Sequence, residues 1–194
     1  MAEKPIVHCA DAEEWRRWLA ANAGASDGIR LAIAKKASGL SSVSYAEAVD
    51  EALCFGWIDG QKGALDENFF VQNFGPRRPG SIWSLINREK ATAFIASGRM
   101  QPAGLAEVER AKANGRWDAA YAGSKTIEVP AAFRAALDAE PAAAAFFETL
   151  SSQNRFAILF RLGNVKRDET RARKIAEYVA MLARGETIYP QKPR

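Results

Sequence analysis

The chain has 194 residues, 48% of them hydrophobic and 26% charged, with a net charge of +4. That is enough apolar material for one domain with a real core or two small ones, and the composition is that of a globular protein rather than a disordered one. No stretch approaches the ~18 uninterrupted apolar residues of a membrane span, and "MAEKPIVHCADAEEWRRW" carries charge where a signal peptide needs an apolar run, so a cytoplasmic protein is expected.

The first element read from the N-terminus is a helix in "DAEEWRRWLAANAG". Asp11 is its N-cap and Glu14 the reciprocal partner three residues on, with Trp15, Trp18 and Leu19 on one face and Gly24 beyond the end. "GIRLAIAKK" alternates Ile29, Leu31 and Ile33 with other residues, the period of a strand. "SYAEAVDEALCFG" reads as a helix with a Ser44/Glu47 capping box, an apolar stripe of Tyr45, Ala48, Val49, Ala52 and Leu53, and Gly56 as its terminator. "WIDGQKGALDENFFVQNF" reads as two strands around a turn near Asp66–Asn68.

Beyond the segment "FGPRRPGSIWS" the chain reads as helical. Asn87 can cap "REKATAFIASG", and Pro102, Pro130 and Pro141 each suit the first turn of a further helix. "SSQNRFAILFRLG" and "KRDETRARKIAEYVAMLARG" close the chain, with Ile175, Tyr178, Val179 and Leu182 as the last apolar seam and "YPQKPR" as a frayed tail. The expected fold is α+β, mostly helical, with one small antiparallel sheet of about three strands near 29–35, 57–63 and 68–74 packed on helices. An α+β part over 1–86 and a helical part over 87–194 would pack as one domain.

Several chemistries lack their residues. There is one histidine, His8, so a Ser–His–Asp or Cys–His arrangement would have to use it. No nucleotide-binding glycine fingerprint, calcium loop or metal-ligand cluster is present, and no cofactor or metal is expected. Cys9 and Cys54 are the two cysteines. Cys54 falls at a helix C-terminus after Asp50 and Glu51, where the dipole and like charge disfavour a thiolate, so it reads as a core residue rather than a nucleophile.

The candidate site is centred on "FGPRRPGSIWS". Pro76 and Pro79 stiffen the backbone around Arg77 and Arg78, which lowers the entropy cost of presenting two planar guanidinium groups to a carboxylate or phosphate. Trp83 offers a stacking plane, and Ser81, Ser84 and Asn87 add short hydrogen-bonding groups; the same residues also fit helix caps and a core plug. Trp57 and Asp59 fall on one sheet face, where Asp59 is either a salt-bridge partner or a pocket wall. Arg171 shares the seam of Ile175 and reads as an internal clamp, or closes the same cavity as Asp59.

Charge is uneven: residues 1–75 carry 7 Lys/Arg and 11 Asp/Glu, whereas residues 76–194 carry 20 and 12. This admits a second reading, nucleic-acid binding through Arg155, Arg161, Lys166, Arg167, Arg173 and Lys174. A third, an enzyme using Asp59 or Cys54 with Arg77 or Arg78, lacks an evident base–nucleophile pair.

Taken together, "SYAEAVDEALCFGWIDGQ", "PRRPGSIWSLIN", "SGRMQPAGLAEVERAKANGRWDAAY", "VPAAF" and "ETRARKIAEYVAMLARGE" resemble the YdeI/OmpD-associated family, also called bacteriocin-protection proteins. They run in family order over nearly the whole chain; Lys174 stands where arginine is commoner. The resemblance implies a bacterial α+β fold of unassigned molecular activity, an envelope-protein partner, and a role in protection against antimicrobial peptides and envelope stress. Combined with the residues, it suggests a non-enzymatic stress-protection protein that recognises an anionic or aromatic small molecule or peptide.

Overall fold

A computed structural model of the chain describes residues 4–192. Contacts cluster these residues into two units, one of 4–83 with 87–120, the other of 84–86 with 121–192. The boundary at 86/87 expected from the sequence lies inside a helix.

The first unit is built on β1 (Ile6–His8), β2 (Ile29–Ala34), β3 (Trp57–Ala64) and β4 (Phe69–Pro76), in the order β1-β2-β4-β3. The sheet therefore has four strands, not about three, and it is mixed: β1 runs parallel to β2, while the β2–β4 and β3–β4 pairs are antiparallel. β1 escapes a reading of local pattern because it is three residues long, too short to show a period. The other three strands fall within two residues of expectation. The β3–β4 turn is held by Asp66, whose Oδ1 accepts from Asn68 N at 2.8 Å and Phe69 N at 2.7 Å. These backbone donors hold the Asp66 carboxyl below its ordinary pKa. A bulge between Asp59 and Lys62 is stabilised by side-chain amides: Gln72 Nε2 donates to Gly60 O and Asn73 Nδ2 to Gln61 O, each at 2.6 Å.

Helix α1 (Ala12–Asn22) begins as its sequence dictates, with Asp11 accepting from Glu14 N and Glu14 accepting from Ala10 N. Helix α2 (Tyr45–Cys54) carries the complete Ser44/Glu47 capping box and is followed by Gly56 at φ +75, a left-handed conformation that favours glycine. Trp15, Leu19, Ile29, Leu31, Ile33, Trp57 and Phe74 form the core between these helices and the sheet.

Helix α3 (Leu85–Ala96) starts two residues before the expected cap, so Asn87 lies in its first turn rather than at its N-cap. Gly98, at φ +71, follows its end, and Pro102 opens α4 (Pro102–Ala113) as expected. Leu53, Cys54, Trp83, Ala91, Met100, Val108 and Ala111 make a second core in this unit.

In the other unit, α5 (Ala131–Asp138), α6 (Pro141–Glu148), α7 (Ser152–Gly163) and α8 (Asp168–Ala183) enclose a core that includes Phe133, Phe147, Ile158, Leu162 and Leu182. The tail is not frayed through residue 191. Buried Asn154 accepts from Tyr189 N at 2.8 Å and donates to Tyr189 O at 3.0 Å and Gln191 Oε1 at 2.9 Å. Residues 193 and 194, the end of the expected frayed segment, lie outside the described residues. Among the described residues, no helix is long and apolar enough to cross a membrane, and no group of His, Cys, Asp and Glu could hold a metal ion.

Candidate functional site

The backbone of the arginine segment is fixed at both ends. Arg77 N donates to Gly56 O at 3.0 Å, which carries the β-ladder one step past β4. Ser81 then closes a tight turn, its N–H donating to Arg78 O at 2.9 Å while its Oγ accepts from Arg78 N at 3.0 Å. The two adjacent arginines are thereby sent to different environments. Arg77 is 5% exposed, and its guanidinium carbon lies 3.8 Å from the ring centroid of Trp83. Arg78 is exposed.

Trp83 is itself buried, and Trp117 meets it edge-to-face at 5.0 Å. The indole is therefore enclosed by the protein's own Arg77 and Trp117. Arg77 Nη1 also donates to Ile82 O at 3.3 Å. The stacking plane proposed from the sequence is taken up within this internal arrangement.

Next to it lies a small hollow of about 10 Å³, room for about one water molecule, lined by Arg77, Arg78, Ser81, Glu107, Arg110, Asn114 and Arg116, among others. Four arginines and one glutamate thus line it. Glu107 pairs with Arg110, and Arg110 Nη2 also donates to Arg77 O at 3.2 Å. Burial raises the Glu107 pKa above the usual carboxylate value even though Arg110 and Arg77 pull it down. The α4 contribution was not singled out in the sequence. Its signal was present: Glu107, Arg110 and Asn114 recur at helical spacing in "EVERAKAN".

On the same segment sits a wider open groove of about 740 Å³, whose walls include Lys4, Asp27, Ile58, Asp59, Asn73, Arg77, Arg78 and Ser81. Asp59 accepts from Tyr45 Oη at 2.8 Å. Trp57 lines neither hollow; it is 2% exposed, packs on Trp15 and Trp18, and its indole donates to Ala23 O at 3.3 Å. Ser84 and Tyr121 both belong to the other unit and form a bridge there, and Asn87 stands in the first turn of α3, outside both hollows. Arg171 belongs to the other unit too, where it donates to Asp168 at 2.6 Å and to Val165 O at 2.5 Å.

The residues of the competing readings are also placed. Cys54 is fully buried and its thiol pKa is raised, chiefly by burial. Glu51 beside it is buried between Arg16, at 2.6 Å, and Arg99. Of the six basic side chains suggested for nucleic acid, Arg155 reaches Glu148 at 3.3 Å, Arg161 donates to Tyr189 Oη at 3.3 Å, and Arg173 lies 3.8 Å from Glu177.

Two family models match this chain. A domain of unknown function, DUF8412, matches residues 7–107, and the family described as bacteriocin-protection, YdeI or OmpD-associated matches residues 126–185. The resemblance read from the sequence holds over the second stretch, whereas "SYAEAVDEALCFGWIDGQ" and "PRRPGSIWSLIN" fall within the first. No curated protein and no solved structure matches the chain.

Proposed function

The chain belongs to the DUF8412 family of domains of unknown function, whose model spans more than half of it, and from that premise we propose that it is a binding protein that takes an anionic group in the arginine hollow. The observation that carries this reading is the presence of Arg77, Arg78, Arg110 and Arg116 on the wall of one hollow, with Glu107 beside them. Arg77 is committed to Trp83, so the working donors are Arg78, Arg110 and Arg116, with Ser81 and Asn114 at the wall. Guanidinium donors are planar and paired, which suits carboxylate or phosphate oxygens. The hollow as it stands has room for about one water molecule, so an anionic head would meet the exposed Arg78 at its mouth, and the adjoining groove offers space for the rest of the molecule. Its biological setting, in this reading, is bacteriocin protection, the role carried in the name of the family matched by residues 126–185.

The test is sulfate or phosphate titration followed by calorimetry and thermal unfolding. Arg78→Ala together with Arg116→Ala should abolish anion-induced stabilisation while leaving the anion-free melting temperature within a few degrees. Unchanged stabilisation in that variant rejects the hollow as the site.

A further inference from the structure

Among the described residues, Glu107 is the one carboxylate that lines the arginine hollow, and it is not a loose surface group. Its side chain is 19% exposed and pairs with Arg110. Its Cγ packs over Gly56, so that a Cβ at Gly56 would come within 2.8 Å of it. The turn after α2, helix α4 and the arginine segment thus meet at this side chain.

We propose that the Glu107 carboxylate is a built-in competitor that occupies Arg110 until an incoming anion displaces it, and that this residue thereby sets which anions the hollow accepts. The inference rests on the anion reading above and deepens it. A weakly charged or single-oxygen anion cannot replace a carboxylate already held by a guanidinium. A tetrahedral dianion such as sulfate, or the phosphoryl or sulfuryl group of a larger ligand, presents enough oxygens to engage Arg78, Arg110 and Arg116 together.

The same geometry makes binding respond to protons. The charged groups facing Glu107 are Arg110 on its own helix and Arg77 from the arginine segment, with Arg78 and Arg116 elsewhere on the hollow wall; the Gly56 turn contributes only backbone and Cα. The arginines keep their charge at all ordinary pH, so Glu107 is the group in the hollow whose charge changes. His8, the one histidine, is not among the lining residues. Protonating Glu107 removes the competing charge and frees Arg110.

The experiment is calorimetric titration of the full chain with sulfate at fixed ionic strength between about pH 4 and about pH 8, a window that begins in the ordinary carboxylate range and in which sulfate stays a dianion. The wild-type protein should bind more tightly as pH falls. Glu107→Gln should bind at least roughly tenfold more tightly at the upper pH, because one nearby like charge is deleted, and should lose the pH dependence. Glu107→Asp, with a carboxylate too short to hold Arg110 in place, should fall between the two and serves if the glutamine variant does not fold. Wild-type binding that Arg78→Ala weakens, with equal affinity and equal pH slope in both Glu107 variants, overturns the competitor role and leaves the anion site standing. Absence of sulfate binding in every variant at every pH overturns both.

Discussion

The guanidinium of Arg77 lies 3.8 Å from the ring centroid of Trp83, and both side chains are at least nine-tenths buried. A desolvated cation over an indole is worth ~2 kcal/mol, and removal of a buried tryptophan costs about 3–5 kcal/mol. Arg77→Ala and Trp83→Ala should each destabilise the protein strongly, and a double-mutant cycle in urea should return a coupling of about 1–2 kcal/mol. Arg78→Ala, on the adjacent exposed position, should change stability by no more than about 0.5 kcal/mol. The two neighbours are thereby separable: one packs inside the fold and the other is exposed.

Glu51 joins α1, α2 and the segment between α3 and α4 through Arg16 and Arg99. Its own side chain is 6% exposed, whereas the arginines are about a third exposed at 30% and 38%. Truncating the carboxylate leaves two cations facing each other with nothing between them, and breaking a buried pair from one side costs about 3–5 kcal/mol. Because the arginines are partly hydrated, Glu51→Ala should fall at the lower end, at roughly 3 kcal/mol. Urea unfolding measures it. Glu51→Gln, which keeps a hydrogen-bond acceptor, should recover part of the loss.

What could be read from the chain depended on the range of the interaction. The Asp11/Glu14 and Ser44/Glu47 caps and the Asp66 turn are closed within four residues, so their chemistry is written locally. β1 exists through its pairing with β2, Ile6 against Arg30, and nothing within three residues announces that. The tail is held by Asn154, 35 residues upstream of Tyr189. The site was half legible for the same reason. Proline and glycine around Arg77 and Arg78 marked a stiff segment, but which arginine turns inward is decided by Trp83, Trp117 and α4. Glu107, Arg110 and Arg116 enter through tertiary packing.

Cys9 gives the pH dependence its alkaline edge. Burial, with smaller contributions from Glu14 and Asp11, pushes its thiol from 9.0 up to about 11. The folded state therefore keeps its proton where the unfolded chain has lost it. The associated stability is fully present below the unfolded value of 9.0 and is lost as pH rises from there to about 11. Cys9→Ala should flatten that part of the stability–pH curve relative to wild type, which urea unfolding over the window measures. Lysine and tyrosine titrate in both proteins and cancel in the difference. An aromatic disulfide reagent near neutral pH should react with Cys9 and the fully buried Cys54 only at the rate of opening, and a fast reaction in the native protein would contradict this placement.

Gly104 supplies a test in which helix propensity and packing have opposite signs. It lies in the first turn of α4, where alanine is normally preferred over glycine by about 1 kcal/mol. A Cβ there, however, would fall inside van der Waals contact of Cys54 O and come within 2.5 Å of Met100 Sδ. Met100 can rotate away, but the Cys54 carbonyl cannot, because it also accepts from Gln101 N at 3.0 Å. The end of α2 and the start of α4 would have to separate, and overpacking of this kind costs about 1–3 kcal/mol. Gly104→Ala should therefore destabilise the protein by about 2 kcal/mol net of the propensity gain. The same change should weaken anion binding, because α4 carries Glu107 and Arg110 to the hollow. A Gly104→Ala variant as stable as wild type in urea would show that α2 and α4 do not meet this closely.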